Sequence, residues 1–256
     1  MTIVHYLTRL TLVALLGATV ACNTNDPNPV VNQPGGRLTG SVKLWNDKTS
    51  TLSDNSGVLV SVDNVASTTA LTDASGNYSF DNLPFDLHTL TFAKTGYGTY
   101  KLFGVSHAPA SATGAAGTVV PAVQLGQLAT TTVTAFTYLD NTYQGAPGAR
   151  FRTTVGTNPT ATNPAYIRYV LSTDPTVSNT NFTAVSPVRA LLSNNAEGGF
   201  PTADLQVLGF RSGQTVYARA YGESLQSNSY TDPNTGRTVF PNVNPNTPAA
   251  VSFVVP

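Results

Sequence analysis

Beyond residue 36 the chain alternates apolar and polar residues at period two, and the three-to-four spacing that a helix needs is nearly absent. Leu38, Gly40, Val42 and Leu44 alternate with Thr39, Ser41, Lys43 and Trp45. Successive strand side chains point to opposite faces, so this pattern makes a half-buried strand. Val58, Val60 and Val62 repeat it, as do Phe151, Thr153 and Val155, and then Ile167, Tyr169 and Leu171, with Arg168 on the opposite face. Clusters of Gly, Pro, Asn, Asp and Ser interrupt the alternation roughly every ten residues, as turns between short strands do. The pattern predicts an all-β chain built as two tandem β-sandwiches. A hydrophobic content of 41% is enough for the cores.

Charge and residue counts exclude several kinds of chemistry. Thirteen Lys and Arg balance thirteen Asp and Glu. With no basic excess to neutralise phosphates, no nucleic-acid partner is expected. The single Cys cannot form an intramolecular disulfide or a thiolate zinc site. His88 and His107 stand apart, with no HExxH or HxxE spacing, and no DxDxDG loop is present. His88 falls on an apolar strand face and reads as a packed, hydrogen-bonded histidine. Asp54, Asp73, Asp140, Asp174 and Asp232 fall among turn residues, where an Asp accepts its own backbone N–H groups. Gly104-x-Ser106-x-Ala108 lacks the last glycine of a nucleophile elbow, and no histidine follows His107 to complete a triad. No catalytic residue, metal ligand or cofactor is expected, and a hydrolase is the least favoured reading.

The N-terminus reads as an export signal over residues 1–21. Arg9 precedes an apolar run from Leu10 to Ala21, which is short against the ~20 residues of a membrane helix. Small residues, Thr19-Val20-Ala21, lead to Cys22. This arrangement resembles the lipobox of bacterial lipoproteins. The resemblance implies lipidation at Cys22, membrane attachment through an N-terminal lipid, and an outer-membrane lipoprotein on the surface or periplasmic side. Residues 22–35, rich in Asn, Pro and Gly, predict a flexible tether.

Two modules follow, at 36–126 and 127–256. In the first, Thr72-Asp73-Ala74-Ser75-Gly76-Asn77-Tyr78-Ser79-Phe80 leads through Leu83-Pro84 to a strand with His88, Leu90 and Phe92 on one face. Lys94-Thr95-Gly96-Tyr97 closes it. This order resembles the carboxypeptidase regulatory-like domain, a prealbumin-like sandwich that is an accessory to catalysis. In the second module, Phe210–Tyr221 is similar to the end of a fibronectin type III or Ig-like domain. Val216 stands where that family places a corner tyrosine, and Tyr217 comes one residue later. Between the last two strands, Asp232-Pro233-Asn234-Thr235-Gly236 predicts the turn of a small inserted hairpin. The combination resembles Bacteroidota surface lipoproteins, which implies an extracellular setting and no particular reaction.

The candidate ligand contacts are aromatic. Strict alternation puts Trp45, the only Trp, on the outer face of the first strand. Tyr230 sits on the inserted hairpin, and Tyr97 and Tyr100 could extend such a surface. A ring exposed in this way can stack on a sugar or anchor a protein partner. The sequence therefore points to a non-catalytic binding or display module whose partner is a polysaccharide or another surface protein. A structural or adhesive spacer is the alternative.

Overall fold

The structure, a computed structural model, describes residues 35–48, 50–109 and 117–256. The signal, Cys22 and the tether up to residue 34 lie outside the described residues, as do residues 49 and 110–116. The described residues are all-β with one short helix, as the alternation predicts.

The first core draws on eight strands: β1 (Gly35–Trp45), β2 (Leu59–Val62), β3 (Thr69–Leu71), β4 (Asn77–Pro84), β5 (Asp86–Ala93), β6 (Tyr100–His107), β7 (Thr118–Val119) and β8 (Val123–Gly126). One sheet has the order β4-β1-β7, with β8 also pairing β1; the facing sheet has the order β3-β2-β5-β6. β7 and β8 run parallel to β1, and all the other pairings are antiparallel. Leu38, Val42 and Leu44 of β1 meet Val60, Leu90 and Phe92 across the core, with Tyr78 and Phe80 from β4. The turn before β4 forms as its residues dictate. Asp73 accepts the Asn77 N–H at 2.9 Å, and Gly76 takes a φ of +90°. Gly104 and Ser106 belong to strand β6.

The second core is built from β9 (Val133–Tyr143), β10 (Ala146–Val155), β11 (Ala165–Ser172), β12 (Ala184–Val185), β13 (Arg189–Leu191), β14 (Asn195–Pro201), α1 (Thr202–Val207), β15 (Thr215–Glu223) and, beyond the hairpin of β16 (Tyr230–Thr231) and β17 (Thr238–Val239), β18 (Val251–Val254). One sheet has the order β14-β10-β9. The other runs β12-β11-β15-β18, with β13 also on β11. Gln144 and Gly145, both at positive φ, close β9 onto β10 in a two-residue turn. Phe136, Phe151, Tyr169, Phe200 and Phe253 pack edge-on and stacked between the sheets. Val216 is fully buried in this core, so the position of the corner tyrosine is filled by an aliphatic side chain.

The outer face of the β11–β15 sheet is covered as well. Val170, Val177, Tyr221, Phe240 and Val243 form a third apolar cluster, with residues 240–243 laid across the strands. Arg168, expected on an outer face, is therefore buried. Its Nε donates to Glu223 Oε2 at 3.0 Å, its Nη1 donates to the Ser186 carbonyl at 2.7 Å, and its guanidinium lies 4.5 Å from the Phe240 ring centre. Burial pushes the Glu223 carboxyl above the usual carboxylate range, and Arg168 opposes that shift.

Candidate functional site

The two described histidines and the turn aspartates are engaged in hydrogen bonds. His88 places Nε2 2.8 Å from the Pro84 carbonyl and Nδ1 3.2 Å from the Asn64 amide oxygen. His107 likewise contacts the Leu83 carbonyl and the Thr118 hydroxyl, at 3.1 and 2.7 Å. Both imidazoles are buried in the first module, with ring centres 6.1 Å apart. Asp54, Asp174 and Asp232 each accept the N–H two residues on, at 2.9, 2.8 and 2.9 Å. Asp140 accepts the Thr142 N–H at 2.9 Å and pairs with Arg150, and it does so from within β9 rather than from a loop.

A dense polar junction joins the two cores. Asn228 Oδ1 accepts the Gly126 N–H at 2.9 Å, and its Nδ2 donates to the Gly98 carbonyl at 2.8 Å. Asn242 Oδ1 accepts the Asn228 N–H at 2.7 Å, while its Nδ2 donates to the carbonyls of Gly126 and Gln127 at 2.8 and 2.9 Å. Asp47 Oδ2 accepts both the N–H and the hydroxyl of Thr130, at 3.0 and 2.6 Å. Asn228, Asn242 and Asp47 are buried. A buried amide must be hydrogen-bonded to be tolerated, and these are. The strands approach so closely that a Cβ at Gly126 would lie 2.1 Å from the Gln226 carbonyl oxygen. The sequence reading missed Asp47, Asn228 and Asn242. Pro-Asn-Val-Asn-Pro-Asn over 241–246 carries the only local signal, and it reads as a loop.

The inserted hairpin reaches across this junction to the first module. The Tyr230 ring meets Tyr100 and Phe103 of β6, with centroids 6.0 and 5.9 Å apart. Tyr230 is thus half-buried, and the burial raises its hydroxyl above the ordinary tyrosine range. Trp45 is half-buried at the end of β1, and its indole N–H donates to the side-chain oxygen of Gln124 on β8. Tyr97, offered as an extension of that surface, is instead a member of the first core.

Two grooves are relevant. The larger, about 770 Å³, crosses β1 and β4 and is lined by Arg37, Ser41, Asp73 and Asn77 together with Leu71 and Val119. Its one aromatic residue, Tyr78, is turned into the core and only 4% exposed. The smaller, about 350 Å³, lies at the junction, between Tyr100 and Leu102 of β6, Pro121 and Gln124, and Gln226 and Ser229 of the second module. Trp45 and Tyr230 each touch a residue of this junction groove, Gln124 and Tyr100 respectively, so the fold links both sequence-predicted aromatics to one place. Among the described residues, no group of three or more His, Cys, Asp or Glu side chains is placed to hold a metal ion.

No family model matches the chain, and no curated protein matches it. Solved structures resemble it distantly. A cohesin–X-dockerin complex from Acetivibrio cellulolyticus is 18% identical over 36% of this chain, with a TM-score of 0.30, and this chain spans only 58% of that one. A candidate carbohydrate-binding protein from Bacteroides uniformis is 12% identical, with 86% of this chain and 99% of that chain covered and a TM-score of 0.30. The major pilin SpaD of Corynebacterium diphtheriae is 14% identical, with 86% and 67% covered and a TM-score of 0.28. At these scores none of the three lends this chain a function.

Proposed function

We propose that the chain is a non-catalytic binding or display protein of the cell envelope. It is held to the outer membrane by a lipid on Cys22, and its two modules, 36–126 and 127–256, act as one body. The observation that carries this reading is the buried Asn228–Asn242 junction. It holds the first module's strand ends against the second module with short, fully paired hydrogen bonds. A junction of that kind presents a surface in a fixed orientation at the end of a tether. The engagement of both described histidines and of the turn carboxylates supports a role without turnover.

Cell fractionation tests the anchoring. Cys22→Ala should move the protein from the membrane fraction to the soluble fraction, and unchanged membrane retention overturns this part of the proposal. The spacer role is favoured by the same junction, since a stiff body also sets a distance. Cross-linking on intact cells that captures a protein partner, in a strain where no glycan competes for the protein, would favour the spacer.

A further inference from the structure

We infer that the junction groove is a binding site for a neutral oligosaccharide segment, an inference that deepens the binding role proposed above and rests on it. The groove is lined without a single Lys, Arg, Asp or Glu; Lys101, between the lining residues Tyr100 and Leu102, is paired with Asp63 at 2.6 Å. A ligand with its own charge would lose water there and meet no counter-charge. The larger groove, in contrast, carries Arg37 and Asp73.

The polar groups that line the junction groove are neutral, and several of them are unengaged. Among the described residues, the Tyr100 hydroxyl, the Gln226 amide, the Ser229 hydroxyl and the NH₂ of Gln124 have no protein hydrogen-bond partner, whereas the amides just beneath, Asn228 and Asn242, are fully paired. Gln124 is held from behind, because the Trp45 indole N–H occupies its carbonyl oxygen and leaves the NH₂ as the free donor. Tyr100 is held by Tyr230 on one side and by Phe92 on the other, with ring centres 6.0 and 6.2 Å apart. Free amides and hydroxyls, with Gln124 and Tyr100 held in place, beside the Leu102 and Pro121 side chains suit a ligand that has hydroxyls at its edge and C–H groups on its face. A pyranose ring has both. The volume, about 350 Å³, lies near the small end of the ~300–1,000 Å³ range of ligand sites and suits one or two sugar rings. Trp45 and Tyr230 are then positioning residues and do not stack on the ligand.

The test is affinity electrophoresis of the full chain in gels containing dextran, mannan, xyloglucan or polygalacturonate. At least one of the neutral polymers should retard the protein, and added salt should leave the retardation unchanged, since no ion pair is involved. Gln124→Ala and Gln226→Ala, each checked for an unchanged melting temperature, should weaken retardation roughly tenfold. Trp45→Phe keeps an aromatic ring but loses the N–H, and should give an intermediate loss. Arg37→Ala, in the other groove, should bind as the parent does. Retardation by polygalacturonate alone would overturn the inference. So would loss in Arg37→Ala with retention in the two glutamine variants, or binding of a neutral peptide in the absence of any glycan binding. The Cys22→Ala fractionation is read independently, so the groove can fail while the anchored-protein reading stands.

Discussion

At the scale of single residues, a few polar side chains decide more than their number suggests. The Arg168–Glu223 pair is buried under Phe240, with side-chain exposures of 9% and 0%. Removing one partner leaves the other charge without compensation, so Arg168→Met should cost about 3–5 kcal/mol by chemical denaturation. Arg168→Met with Glu223→Leu should recover most of that loss, because an apolar pair needs no desolvated charge. The turn aspartates act in the opposite sense. The Asn77 backbone N–H holds Asp73 below the ordinary carboxylate range, and the N–H groups of Ser56 and Thr176 do the same for Asp54 and Asp174. A depressed folded pKa means stability that is present above the unfolded value and lost as pH falls through the folded one. Thermal melts should therefore weaken below about pH 4. Asp73→Asn should flatten that acid slope, and an unchanged slope would show that its turn contributes nothing to it.

At the scale of elements, the inserted hairpin is a strut. The turn from Asp232 to Gly236 places β16 where Tyr230 reaches Tyr100 and Phe103 of the other module. Tyr230→Ala should lose at least the ~0.5–1.5 kcal/mol of aromatic pairing. Hydrogen exchange should then quicken in β6 more than in β10, which the hairpin does not touch. Strand placement was largely legible. Leu38–Leu44, Val58–Val62, Tyr78–Phe80 and Phe151–Val155 lie in strands or at their edges with the expected residues inward, since a half-buried strand writes its burial into alternate positions. Alternation gave no guidance where both faces of a strand are covered. That is why Arg168 looked exposed and the layer formed by Phe240 and Val243 went unseen.

At the scale of the molecule, the described residues fall in one compact unit although they have separate apolar cores. A shared polar junction explains this, and it predicts one cooperative melting transition. Asn242→Ala leaves the buried Asn228 N–H unpaired, at a cost of about 1–3 kcal/mol, and takes one donor each from the Gly126 and Gln127 carbonyls, which keep the Gly98 N–H and the Ser224 hydroxyl. Combined with Asn228→Ala, it should split the calorimetric trace into two transitions. A single transition in the double variant would mean that apolar contact alone couples the cores. Gly126→Ala should loosen the same junction, because its new methyl meets the backbone of residue 226 and no flexible side chain is there to yield.

The sequence by itself determined the all-β class, the inward faces of most strands, the turn chemistry of the aspartates, the packed state of His88 and the presence of a hairpin between the last two long strands. Each of these follows from local periodicity or from a side chain bonding its own backbone, and both are written over a few adjacent residues. Only the tertiary structure decided that Trp45 and Tyr230 support one groove, that Asp47, Asn228 and Asn242 hold the junction, and that Arg168 is buried. The Arg168–Glu223, Asp47–Thr130 and Asn228–Gly98 contacts join residues 55, 83 and 130 positions apart. No local pattern encodes which distant backbone group a buried amide or charge will meet.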